Sequence, residues 1–159
     1  MKFVLKIILF GVVAFAFLLL LETSVLDDAE EWNGHYYQVF STPMNWNEAK
    51  VFCESMGGHL VTVEIPAENE MLKELIASAN AEDGKFWMGG TRNIDNIWRW
   101  VTENPIHDLD LENATPAENA TKLYMDINRD GQWLTESETS QFPFVCEWEN
   151  VEDAHDSDL

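Results

Sequence analysis

Positive charge is scarce in this chain. Nine lysines and arginines face 29 aspartates and glutamates in 159 residues, a formal net charge of −20. That balance excludes nucleic acid as a partner, because phosphate binding draws on a surplus of Lys and Arg. It fits a solubilising surface or a basic partner. Cysteine is scarcer still, with Cys53 and Cys146 the only two. The four histidines, His35, His59, His107 and His155, are scattered, and no His-Glu-x-x-His motif, nucleophile elbow or phosphate-binding glycine loop occurs. Acidic pairs abound, but a chain with 29 acids produces them by chance. No enzyme is expected.

One long apolar run is present. Lys2 and Lys6 give a basic start, and residues 7–21 are unbroken apolar. A secretory signal peptide has this form. No clear small-x-small cleavage site follows, and counted from Phe3 the run approaches the roughly 20 residues of a spanning helix. Residues 1–24 therefore read either as a cleaved signal peptide or as an uncleaved signal anchor. Both readings export the remainder, because the lysines stay cytoplasmic. The protein is expected to be secreted, or held by one N-terminal transmembrane segment with its domain outside. In that oxidising setting an even cysteine count implies a bridge. Two buried free thiols are the alternative.

The length suits one domain with a single core. Residues 25–31 read as an acidic linker, and residues 150–159 as an acidic tail expected to be disordered. Between them, residues 32–40 read as a turn and strand that breaks at Pro43. Asn45 with Glu48 three residues on forms a capping-box start, and Trp46, Ala49, Cys53 and Met56 recur at helical spacing up to Gly57-Gly58. Residues 59–63 read as a strand. Pro66 opens a second helix with Leu72, Leu75, Ile76 and Ala79 as its apolar stripe. Residues 86–100 hold three of the seven tryptophans, with Gly89 and Gly90 marking a bulge or a close backbone approach and residues 91–96 a turn. Residues 102–121 show almost no apolar periodicity. Residues 122–126 and 132–134 read as strands about a turn at 128–131, and residues 142–148 as the last strand. The fold class is α+β, two helices packed on antiparallel strands.

These residues resemble the C-type lectin-like domain, over residues 32–149. The Trp-Ile-Gly-Leu core motif of that family looks like Trp87-Met88-Gly89-Gly90 here. Its first-helix motif looks like Trp46-Asn-Glu-Ala-Lys-Val-Phe-Cys53, followed by Gly57-Gly-His-Leu-Val61, and its terminal strand like Phe144-Val145-Cys146-Glu147. The resemblance implies a double-loop α+β fold with a Cys53–Cys146 bridge. Family members that bind sugar through calcium carry Glu-Pro-Asn or Gln-Pro-Asp in the long loop and Trp-Asn-Asp on the next strand. Here Thr115-Pro116-Ala117 and Trp133-Leu134-Thr135 stand in those places, and the second family disulfide is missing. Leu134 cannot ligate a hard cation that wants six to eight oxygens. A conventional calcium–sugar site is therefore not expected.

Candidate contact residues are the loop acids Asp108, Asp110, Glu112 and Glu118, with Trp133 as an aromatic platform. Asp126-Ile-Asn128-Arg-Asp130-Gly131 matches the opening of an EF-hand loop, but Ser137 stands where the closing Glu belongs, and a hairpin turn explains the pattern equally well. Asp126, Asn128 and Asp130 are thus candidates for a weak calcium site, and no other cofactor is expected. Asn113 and Asn119 open N-glycosylation sequons, meaningful in a eukaryotic secretory pathway. The expected function is an exported recognition module for a carbohydrate or glycoconjugate. A calcium-independent protein-binding domain at the cell surface is the alternative.

Overall fold

The computed structural model describes residues 28–79, 84–106 and 120–149. Its strands are β1 (Glu30–Trp32), β2 (His35–Met44), β3 (His59–Leu60), β4 (Lys85–Arg92), β5 (Trp98–Trp100), β6 (Lys122–Asp126), β7 (Gln132–Glu136) and β8 (Phe142–Trp148). The helices are α1 (Trp46–Ser55) and α2 (Pro66–Ser78). The strands form one sheet in the order β1-β2-β8-β4-β6-β7, with β3 on β8 and β5 on β4. The expected α+β class is the observed one. The sheet is mixed rather than purely antiparallel, because β4 and β8 run parallel where Trp87 meets Phe144.

Both faces of the sheet are covered, and alternation along its central strands sorts the side chains between them. Phe86, Met88, Leu123, Met125 and Val145 join Leu72 and Ile76 of α2 in one core. Trp87, Tyr124, Phe144 and Cys146 join Trp46, Ala49 and Cys53 of α1 in the other. Trp87 is fully buried at this centre, and its indole donates to the Met44 carbonyl at 2.9 Å. Gly89 and Gly90 are required by close approach. A methyl group on Gly89 would lie 2.6 Å from the Leu60 carbonyl oxygen, and one on Gly90 would run into the Leu123 side chain. The β4–β6 register slips across this same stretch.

The bridge expected between the two cysteines is present. Cys53 of α1 joins Cys146 of β8 with their Cα atoms 5.6 Å apart. The capping box is present too: Asn45 Oδ1 accepts from the Glu48 amide at 2.9 Å, and Glu48 accepts from the Asn45 amide at 3.1 Å.

Several boundaries differ from those read in the sequence, β7 running to Glu136 and β4 to Arg92 among them. The sheet begins at Glu30, inside the stretch taken as linker. Glu30 pairs with Tyr37 and Trp32 with His35 across a tight turn in which Asn33 and Gly34 both have positive φ, as a two-residue hairpin loop demands. β2 does not break at Pro43. The β2–β8 register shifts between Phe40 and Met44, so no ladder N–H is asked of the proline there. β3 stops at Leu60: the Val61 amide still donates to the Val145 carbonyl at 3.0 Å, but beyond it the Thr62 amide donates to the Glu147 side chain and the Glu64 amide to the Glu68 side chain. Residues 1–24, 108–118 and 150–159, with the expectations placed on them, lie outside the described residues.

Candidate functional site

An open cleft of about 780 Å³ lies where three connections meet. Residues 63–66 and the first turns of α2 form one wall. Trp100 and residues 104–106 form the second, and residues 129–133 at the β6–β7 turn form the third. The second wall is built by backbone pairing. The Trp100 amide donates to the Asn104 carbonyl at 2.9 Å, and Arg99 bridges to Pro105. Trp100 is buried, and Trp133 meets it edge-to-face with centroids 5.5 Å apart. The Trp133 indole donates to Asn69 Oδ1 of α2 at 2.8 Å, and Asn104 donates to Glu64 Oε1 across the cleft at 3.0 Å. Trp133 and the amide-bearing residues Asn69, Asn104 and Gln132 thus line one concavity, with the buried Trp100 behind them.

Of the residues singled out in the sequence, Trp133 lies in this cleft. Asp108, Asp110, Glu112, Glu118, Asn113 and Asn119 fall outside the described residues, although Ile106, on the cleft wall, is the last described residue before them. Asp126 and Asp130 sit at the turn but are engaged there. Asp126 is buried, its Oδ1 accepts from the Asn128 amide at 3.0 Å, and its Oδ2 lies 3.6 Å from Arg129 Nε. Asp130 points to Lys73 Nζ at 3.0 Å and ties the turn to α2. Asp130 and Glu70 together hold Lys73 charged beyond its ordinary range. The flanking elements are strands and a 3-10 turn (Ile127–Arg129), not the two helices of an EF-hand. Among the described residues no three His, Cys, Asp or Glu side chains are grouped to hold a metal. Leu134, one residue past Trp133, packs against the α1-side core.

Behind the cleft lies a buried acidic network that the sequence reading did not single out. Glu147 of β8 is 2% exposed and Glu68 of α2 is 5% exposed. Glu147 accepts from the amide and hydroxyl of Thr62 at 2.9 and 3.1 Å, and from His35 Nδ1 at 2.8 Å. Glu68 accepts from the Tyr37 hydroxyl at 2.7 Å and the Glu64 amide at 2.8 Å. Burial raises the Glu68 pKa, and the Glu147 charge adds to it, against the two donors. Burial, then the bond to Glu68, pushes the Tyr37 hydroxyl far up, so it stays a donor. The hydrogen bond to Glu147 raises His35 against the opposing effect of burial. His59 donates through Nδ1 to the Leu60 carbonyl at 3.0 Å and lies 3.7 Å from Glu147. Its Nε2 is buried without a hydrogen bond, 4.0 Å from Glu149. One sequence signal was available: Glu147 is the sole charge in a strand otherwise apolar throughout.

A two-faced mixed sheet, with two helices packed on it and a bridge from the first helix to the last strand, defines a C-type lectin-like domain. The family model described as the lectin C-type domain matches residues 42–148, and the chain belongs to that family. It is similar to one of the chains of snaclec salmorin from Gloydius brevicauda, at 29% identity over 72% of this chain and 77% of that one. It is also similar to one of the chains of the snaclec coagulation factor IX/factor X-binding protein from Protobothrops flavoviridis, at 28% identity over 77% and 81%. Among solved structures, human lithostathine superposes with a TM-score of 0.70 at 19% identity, over 77% of this chain and 89% of that one. The SPL-1–GlcNAc complex superposes with a TM-score of 0.66 at 25% identity, over 76% and 92%. Among the described residues no helix is long and apolar enough to cross a membrane.

Proposed function

We propose that the chain is an exported recognition module that holds a carbohydrate or glycoconjugate in this cleft, without catalysis and without the usual calcium arrangement. The observation that carries the reading is the meeting of the Trp133 indole, backed by the buried Trp100, with three amides in one open concavity. A sugar offers apolar C–H faces that pack on indole rings and hydroxyls that exchange hydrogen bonds with amides. Asn69 is held at the carbonyl end by Trp133, which leaves its NH2 group unused by that contact. The engagement of Asp126 and Asp130 within the turn, and Leu134 in place of a ligand, argue against sugar binding through calcium at this hairpin. The sugar named in the SPL-1 complex lends support from within the fold.

A glycan array read with and without chelator tests this directly. Binding that survives chelator, and that Gln132→Ala weakens by about tenfold (about 1.4 kcal/mol), is the expected result. Chelator-sensitive binding would overturn the calcium-independent part of the reading. A blank array would favour the second reading, a protein ligand on the same surface. The name of the factor IX/factor X-binding relative favours that alternative.

A further inference from the structure

The buried carboxylates hold one wall of the cleft from behind. Thr62 is fixed to Glu147 through its amide and hydroxyl, and the Glu64 amide is fixed to Glu68. Val63, Glu64, Ile65 and Pro66 line the cleft, and Glu64 reaches across it to Asn104. A carboxylate as deeply buried as Glu147 is tolerated when its charge is compensated. Among the described residues the basic side chains beside it are imidazoles, His35 of β2 at 2.8 Å and His59 of β3 at 3.7 Å. The other titratable groups around His35 are acidic or neutral. Glu68 comes from α2, Glu149 follows β8, the Tyr37 ring stacks at 6.4 Å, and Glu30 of β1 sits opposite Tyr37.

We propose that His35 is a proton-operated brace for the cleft wall: protonated, it fixes Glu147 and with it residues 62–64, and on losing its proton it lets that wall loosen. The consequence for ligand binding rests on the reading of the cleft given above; the brace itself does not. A neutral imidazole still donates through Nδ1, but a hydrogen bond between two charged groups is roughly twice as strong as a neutral one. With the imidazolium gone, Glu147 keeps its two Thr62 donors but loses the charged partner at 2.8 Å. The hydrogen bond to Glu147 makes His35 hold its proton more tightly than an ordinary imidazole, against the opposing effect of burial.

Hydrogen exchange at the Thr62 and Glu64 amides tests the brace without any ligand. The full chain is measured in chelator at about pH 6 and about pH 8, each rate divided by the intrinsic rate at that pH. Several-fold greater protection at the lower pH is expected. That difference should vanish in His35→Gln, which keeps an N–H donor that does not titrate, and persist in His59→Gln. Equal protection at both pH values in the native chain would overturn the proposal. So would a difference that survives His35→Gln, or one abolished by His59→Gln instead. A blank glycan array leaves this outcome untouched, so the two readings fail separately.

Discussion

At the scale of single residues, the glycines of β4 and the acids of the network carry the sharpest consequences. Gly89→Ala places a methyl 2.6 Å from the Leu60 carbonyl oxygen, a backbone atom that cannot rotate away. A loss of about 1–3 kcal/mol is expected in urea unfolding. Tyr37→Phe removes one donor from a carboxylate 5% exposed; the unmet acceptor costs about 1–3 kcal/mol, read the same way. The pH dependence has a definite sign. The folded pKa of His35 is raised, so its contribution is fully present below the ordinary value of 6.5 and is lost as pH rises through the folded value. Glu68 is raised as well, which makes its charged form a burden on the native state and again favours acid. The urea midpoint should therefore fall as pH rises from mildly acidic to mildly alkaline, and His35→Gln should flatten that slope. Of this network the sequence signals Glu147 alone, as the one charge in an apolar strand; Glu68 reads there as an ordinary first-turn acid, and Tyr37 becomes its neighbour only through the fold.

At the scale of elements, the local signals and the observed pieces agree where one interaction decides the outcome. The Asn45–Glu48 box starts α1, Pro66 sits in the first turn of α2, and Trp87 with Gly89 and Gly90 marks the crowded centre. Where distant partners decide, the sequence runs out. The chain leaves β3 where the Thr62 amide turns to Glu147, 85 residues away along the chain, and the path of β2 through Pro43 depends on its slipped register with β8. The cleft shows the same limit: Trp133 was visible as an aromatic candidate, whereas Asn69, Asn104 and Gln132 are ordinary polar residues until three connections bring them together. The bridge between α1 and β8 spans 93 residues of sequence. A Cys53→Ser, Cys146→Ser double variant should lose about 4–5 kcal/mol by the chain-entropy model, seen as a large drop in unfolding midpoint. Asn45→Ala should cost about 1 kcal/mol by the same measure, confined to the start of α1 in hydrogen exchange.

At the scale of the whole molecule, the net charge of −20 acts on the compact state as self-repulsion. Moderate monovalent salt should raise the melting temperature by screening it, and calorimetry at two ionic strengths measures the effect. The first strands also define where the module meets the world. Tyr36, near the start of β2, lies beside Trp148, the last residue of β8, and Glu30 of β1 pairs with Tyr37 on the other side of β2. Entry and exit therefore share one doorway. Such a unit can be spliced as a cassette into a loop of some larger host, or strung in tandem, with little stretch of connecting chain and without prying its sheet apart.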